Sequence, residues 1–135
     1  MTLVDAGPLV ALLDARDSFH EACRDALRDN VREPMGTVWP ALTEAMYLLH
    51  GYPEAQEKLW LMLEKGAFEI LPLDVSDAPR MRTLMKKYKD LPMDLADAAL
   101  VTVAEREGLD RIFTVDRKDF AVYRIAGKRS FKILP

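Results

Sequence analysis

The sequence predicts an α/β domain, in which a mainly parallel sheet of about five strands is covered by helices on both faces. Short apolar runs of strand length alternate with longer runs whose apolar residues recur at helical spacing, and the links between them are brief. That alternation is typical of a three-layer α/β/α arrangement with crossover helices. The chain has 135 residues, which suits one compact domain over 1–135.

Five short apolar segments are predicted as strands. In order they are Thr2–Asp5, Pro34–Trp39, Phe68–Leu73, Arg111–Val115 and Ser130–Leu134. In open α/β sheets, ligands bind beyond the carboxyl ends of the strands. Asp5 closes the first strand and Asp116 follows the fourth, so both are expected at that edge.

Six segments are predicted as helices from their spacing and their terminal residues. They are Pro8–Leu13, Ser18–Leu27, Pro40–Leu49, Glu54–Lys65, Ser76–Lys89 and Leu95–Arg106. Pro8 and Pro40 suit the first turn of a helix, and the spacing of Ser18 and Glu21 predicts a capping box. The last segment is apolar nearly all round, which indicates a buried central helix.

Composition and charge restrict the function classes. The net charge of -3 provides no overall attraction for nucleic acid, so RNA contacts must depend on local basic patches. The single cysteine, Cys23, excludes an internal disulfide and favours a cytoplasmic setting. We expect Cys23, Trp39 and Trp60 in the core. No apolar run approaches the ~20 residues that cross a membrane, and no signal peptide is predicted.

Four acidic residues lie at the ends of apolar segments or inside them: Asp5, Glu44, Asp97 and Asp116. A buried ionised carboxylate needs a partner or a metal, and no Lys or Arg adjoins the first three. If the fold brings the four together they repel one another, and a divalent cation removes that repulsion. Carboxylate oxygens with open water positions are what Mg²⁺ and Mn²⁺ prefer. The pattern points to metal-assisted phosphodiester chemistry.

Each of these acids also has a structural interpretation. Asp5 is placed to cap the helix after it, Glu44 to complement a helix dipole, and Asp116 to form an Asx-turn. Asp94 and Asp97 have the spacing of a box-like cap. The apolar residues after Asp97 favour a half-buried functional acid, with Asp94 as a cap or a residue just outside the ligand set.

Two further polar residues lie in the fourth predicted strand and just after it. Strand alternation places Thr114 on the same side as Asp116, where its hydroxyl can hydrogen-bond a carboxylate. Asp119 is expected to cap the next turn or to stand just outside the ligand set. The isolated His20 and His50 do not make a zinc site, and no glycine-rich nucleotide loop is present.

The arrangement of these acids resembles the PIN-domain family, and within it the VapC-type toxins of toxin–antitoxin pairs. The segments that carry the resemblance are Leu3–Leu13, Thr43–Ala45, Leu95–Ala98, Phe113–Asp116 and Asp119–Phe120. Each motif is weak alone, but together they occur in order and in the expected strand and helix contexts.

The resemblance implies a Mg²⁺-dependent endoribonuclease of cytoplasmic location, with Mn²⁺ as a substitute metal. By the same resemblance, Asp5, Glu44, Asp97 and Asp116 form the catalytic, metal-binding cluster. It also implies an RNA substrate, a cognate antitoxin and a homodimer. The segments Met46–Leu49 and Leu59–Leu63 are candidates for the dimer surface and equally for the core. Many relatives carry Ser or Thr where this chain has Gly7, so that hydroxyl is expected from Thr114 or the backbone.

Basic residues near the C-terminus are the expected RNA contacts. They are Arg117, Lys118, Arg124, Lys128, Arg129 and Lys132. A second set, Lys86, Lys87 and Lys89, is interpreted as an ordinary solvated face.

Three other classes fit the chain less well. A receiver-type signalling domain would use Asp74 at the end of the third strand, but it leaves Asp97 unexplained. A catalytically silent PIN-like module that binds RNA or a partner would not need four acids. A haloacid-type phosphatase needs a second Asp at position 7, which is Gly7.

Overall fold

A computed structural model describes residues 1–135 and contains a five-stranded parallel sheet and a separate hairpin. The strands are β1 Thr2–Val4, β2 Met35–Thr37, β3 Glu69–Ile70, β4 Arg111–Phe113, β5 Arg124–Ile125, β6 Arg129–Ser130 and β7 Lys132–Leu134. The helices are α1 Ala6–Leu13, α2 His20–Asp29, α3 Trp39–Leu48, α4 Pro53–Glu64, α5 Ala78–Lys87, α6 Leu95–Glu107 and α7 Arg117–Val122.

The sheet has the order β3-β2-β1-β4-β7, and every neighbouring pair is parallel. The first half of the chain extends the sheet to one side of β1 and the second half to the other. The predicted parallel sheet is confirmed. The receiver-type alternative is wrong, because that class has the order 2-1-3-4-5.

Helices cover both faces of the sheet, which makes the predicted three layers. Successive strand residues point to opposite faces. Leu3 therefore packs with α5 and α6, whereas Val4 packs with α1, α2, α3 and α4. In β4, Ile112 and Phe113 divide in the same way. The two cores meet across the buried strand β1 and across Ile112 and Phe113 of β4, so the ends of these two central strands are held by packing on both faces.

Helix α6 is the central buried helix that the sequence predicts. Its nine residues from Ala96 to Ala104 are all buried. Asp94 caps its start, because its side chain accepts the backbone N–H of Asp97 at 2.8 Å. Gly108 ends it in the left-handed conformation at φ 68°, which glycine adopts without steric cost.

Several local predictions are wrong in detail. The side chain of Ser18 does not cap α2; Asp17 accepts the N–H of Phe19 there at 2.8 Å. Trp39 and Trp60 are 51% and 43% exposed instead of buried. Tyr47 is also exposed, whereas Cys23, Leu49 and Leu59 lie in the core.

Helix α7 and the β5–β6 hairpin were absent from the prediction. Six residues of helix give too few turns for a periodic pattern, and a pair of two-residue strands gives no alternation. The hairpin interrupts the predicted strand Ser130–Leu134, which begins instead at Lys132. No helix of the structure has both the length and the apolar character needed to cross a membrane.

Candidate metal centre

The carboxyl ends of β1 and β4 bring two acids together at the middle of the sheet. Val4 and Phe113 are paired in the register, and the N–H of Asp5 donates to the carbonyl of Phe113 at 2.9 Å. Asp5 and Asp116 thus leave adjacent strands at the same edge, as predicted. Helix α6 adds Asp97 from one layer, and α3 adds Glu44 from the other.

Asp5 is both a helix cap and a member of the acidic site. One of its oxygens, Oδ1, accepts the N–H of Ala6 at 2.8 Å, and Oδ2 accepts the hydroxyl of Thr114 at 2.9 Å. The side chain is only 7% exposed, and burial raises the pKa of this carboxyl. The two hydrogen bonds lower the pKa, but the charges of Asp94 and Asp116 raise it further.

Thr114 takes the role expected for a hydroxyl missing at position 7. Besides donating to Asp5, its oxygen accepts the N–H of Asp116 at 3.0 Å, so it connects the two acids. A Cβ atom at Gly7 would stand 2.4 Å from Cγ2 of Val115. The space beside Gly7 is therefore filled by Val115, from the segment that follows β4.

Asp97 lies on the first turn of α6 and is 9% exposed. Its Oδ2 accepts the phenol O–H of Tyr123 at 2.8 Å. Burial, followed by the charges of Asp94 and Asp5, raises its pKa to about 8, although the bond from Tyr123 opposes this. The carboxyl is consequently protonated over a wide range of pH unless a cation joins it.

Three carboxylates form the tightest group of the site. One oxygen from each of Asp97, Asp116 and Asp119 lies within 4.8 Å of the others. Oδ1 of Asp116 caps α7 by accepting the N–H of Asp119 at 3.2 Å. Burial raises the pKa of Asp119, and the adjacent charge of Asp116 raises it further. Asp119, expected just outside the ligand set, thus lies among the closest acids.

Glu44 faces the same group from α3 and is half-buried. Burial raises its pKa, and the charges of Asp5, Asp94 and Asp116 add to this. It also lines an apolar groove of about 700 Å³ with Trp39, Tyr47 and Leu95. All four predicted acids therefore converge, with Asp97 and Asp116 in the tightest group and Asp5 and Glu44 beside it.

No basic side chain neutralises this cluster. The ion pairs of the structure involve other acids, and none reaches Asp5, Glu44, Asp94, Asp97, Asp116 or Asp119. Like charges this close together repel one another, and a divalent cation bound among them offsets that repulsion. The donor set is oxygen alone, which suits Mg²⁺ or Mn²⁺ and excludes the sulfur and nitrogen ligands of a structural zinc site.

The basic residues predicted to contact RNA differ in what they bind in the structure. The guanidinium of Arg124 is bound to the carbonyls of Ala121, Val122 and Tyr123, so it closes the end of α7. Arg117 donates to the terminal carbonyl of Pro135. The exposed residues Lys118, Lys128 and Arg129 make no ion pair, whereas Lys132 pairs with Asp110 at 3.2 Å. These bonds use only Nη1 of Arg124, so its role as an RNA contact stays a prediction, as it does for the other basic residues.

Comparison with known proteins gives the family. The model of the PIN domain matches residues 2–127. The chain belongs to the PIN-domain family. The PIN domain is 26% identical to the ribonuclease VapC26 of Mycobacterium tuberculosis (strain ATCC 25618 / H37Rv), over 98% of this chain and 99% of that protein.

Two solved structures share the fold of this PIN domain. The crystal structure of Mycobacterium tuberculosis VapC20, described as a sarcin–ricin loop cleaving toxin, superposes with a TM-score of 0.82 at 13% identity, over 100% of both chains. A chain of a toxin–antitoxin complex from Klebsiella pneumoniae gives a TM-score of 0.67 at 23% identity, over 90% of this chain and 92% of that one.

Asp74, which the receiver-type alternative required, has another role in the PIN domain. Its side chain accepts the backbone N–H of Val75 at 2.6 Å, and the side chain of Asp77 accepts the backbone N–H of Asp74 at 2.9 Å. It begins a short 3₁₀ turn at Val75–Asp77. Sequence reasoning missed Tyr123, since nothing local connects a tyrosine with an acid 26 positions earlier.

Proposed function

We propose that this PIN domain is a divalent-metal-dependent endoribonuclease and the toxin of a toxin–antitoxin pair. The observation that carries the proposal is the group of Asp97, Asp116 and Asp119, whose oxygens lie within 4.8 Å of one another without a basic partner. The similarity to the ribonuclease VapC26 over the whole chain supports RNA as the substrate.

Each acid has a part in the proposed mechanism. Asp97, Asp116 and Asp119 would hold Mg²⁺, with Asp5 beside them. When bound, the cation polarises the phosphoryl oxygens and acidifies a water molecule. Glu44 is half-buried and its pKa is raised, which suits a carboxylate that takes a proton from the attacking water. Thr114 keeps Asp5 in place through its hydroxyl.

RNA phosphates would be held by local charge. Lys118, Lys128 and Arg129 are exposed and without an ion pair. Binding of these residues to phosphates releases counterions from the RNA, and a high salt concentration opposes that release. Activity that depends on these residues should therefore fall steeply as the salt concentration rises.

The antitoxin would cover the acidic site and the groove beside it. Trp39, Tyr47 and Leu95 expose apolar surface there, and Glu44 and Asp94 line the same groove. A peptide with apolar and basic side chains complements such a surface. A homodimer stays a prediction. The exposed side chains of Tyr47 and Leu48 are available as contacts, and light scattering would measure the oligomeric state.

The deciding experiment measures cleavage of a panel of tRNA and rRNA fragments with Mg²⁺ and with EDTA. Asp97→Asn is the test variant, and Asp90→Asn, an exposed acid in the turn before α6, is the matched control. We expect cleavage only with the metal, a loss of more than about 100-fold in Asp97→Asn, and no loss in the control. Undiminished cleavage in EDTA, or by Asp97→Asn, would contradict the proposal.

A further inference from the structure

Tyr123 is a fully buried tyrosine whose hydroxyl faces the acidic site. Its O–H donates to Oδ2 of Asp97 at 2.8 Å, and its exposed fraction is 0%. A buried phenol normally finds a partner for its hydroxyl. Here the partner is one of the acids that the proposed function assigns to the metal.

The ring of Tyr123 is held from several sides. It packs edge-to-face against Phe120, with ring centroids 5.1 Å apart, and against Tyr88, with centroids 5.0 Å apart. Its backbone N–H donates to the carbonyl of Asp119 at 3.0 Å and closes the last turn of α7. The direction of the hydroxyl is therefore set by ring packing and a backbone bond, neither of which involves a carboxylate side chain.

The hydrogen bond joins the two elements that supply the closest carboxylates. Helix α7 has Asp116 at its start, Asp119 in its first turn and Tyr123 at its end. Asp97, the third carboxylate of the group, comes from α6. A bond from the end of α7 back to Oδ2 of Asp97 consequently restrains where that oxygen lies relative to the carboxylates of Asp116 and Asp119.

We propose that Tyr123 is a positioning residue for the divalent-cation site, because its hydroxyl holds the carboxylate of Asp97 in the orientation that binds the ion. It has no contact with the reacting groups in this role. Partners that orient ligands in this way typically change metal affinity by about 10–100-fold when they are removed. The inference rests on the proposed metal-dependent function.

The test compares Tyr123→Phe with Tyr88→Phe. Both changes remove one hydroxyl from the same aromatic cluster, but the hydroxyl of Tyr88 accepts the backbone N–H of Arg124 at 3.1 Å and does not touch an acid. Mn²⁺ affinity is measured by calorimetry on the whole chain, and cleavage is measured as a function of Mg²⁺ concentration. Urea unfolding in EDTA reports how much stability each variant loses.

We expect Tyr123→Phe to weaken Mn²⁺ binding by about 10–100-fold. The Mg²⁺ concentration that half-saturates cleavage should rise by the same factor, with the rate at saturating Mg²⁺ nearly unchanged. Tyr88→Phe should bind Mn²⁺ within about twofold of wild type at similar loss of stability. A Tyr123→Phe Kd within twofold of wild type, or equal weakening in both variants, would overturn the inference. Absence of Mn²⁺ binding in wild type would instead overturn the proposed function.

Discussion

Replacing Asp97 by Asn should stabilise the metal-free protein, and the gain should grow with pH. The pKa of this carboxyl is raised from 3.8 to about 8, chiefly by burial. Between these two values, the carboxyl of Asp97 is therefore still protonated in the folded state but already ionised in the unfolded chain. This contribution to stability is complete below about pH 4 and disappears as pH rises through about 8.

The magnitude follows from the extra proton. Between pH 5 and pH 8 the folded state holds nearly one proton more than the unfolded state, and each pH unit then costs about 1.36 kcal/mol. Three units give about 4 kcal/mol, and water that reaches the carboxylate through its 9% exposed surface reduces this toward about 2 kcal/mol. Asn carries no charge, and its amide oxygen can still accept the O–H of Tyr123.

The assay is urea unfolding of wild type and Asp97→Asn in EDTA at pH 5 and pH 8. The advantage of the variant should increase by about 2–4 kcal/mol between the two values, and saturating Mg²⁺ at pH 8 should reverse it because only wild type gains by binding. Asp90→Asn should give the same difference at both pH values. An advantage of Asp97→Asn that does not change with pH would refute the reasoning.

Three further predictions concern the same site. Gly7→Ser should cost about 1–3 kcal/mol of stability, because the new Cβ meets Val115 at 2.4 Å, and Val115→Ala should restore most of it in denaturant unfolding. Thr114→Val should cost about 1–3 kcal/mol in EDTA at pH 8 by leaving Oδ2 of Asp5 and the backbone N–H of Asp116 without a partner, whereas Thr114→Ser should not. Mn²⁺ affinity of wild type should rise by up to about tenfold per pH unit between pH 6 and pH 8, since binding displaces the proton of Asp97, and calorimetry in two buffers measures that proton.

The sequence predicted the parts of the fold that depend on local pattern. The strand ends at Asp5 and Asp116 and the buried helix after Asp94 follow from runs of apolar residues. The exposed tryptophans were mispredicted because apolar character alone does not show which face of α3 or α4 is uncovered. Trp39 begins α3 at its outer side and lines the groove instead of the core.

The acids of the candidate site could be proposed from the sequence, but the distances between them could not. Four acids in order suggested a cluster, whereas their relative distances depend on side chains far apart in the chain. Gly7 and Val115 fill one space from positions 108 residues apart, and the hydroxyl of Tyr123 reaches Asp97 across 26 positions of sequence. Asp119 entered the tightest group through α7, whose six residues have no sequence pattern of their own.

The capping roles expected for Asp5, Asp94 and Asp116 are confirmed, whereas Glu44 lies beyond the first turn of α3 and does not complement its dipole there. The metal-binding role of these acids stays a prediction. Asp5, Asp94 and Asp116 cap α1, α6 and α7, so three helix starts converge on the site. A helix start stabilises a nearby anion by about 0.3–1 kcal/mol, which is less than the roughly 2–4 kcal/mol that ionising Asp97 costs between pH 5 and pH 8. The caps therefore place the carboxylates without neutralising them. No basic side chain of the chain pairs with these acids to offset the rest of the free energy that ionising Asp97 costs. A divalent cation is the partner that can offset it.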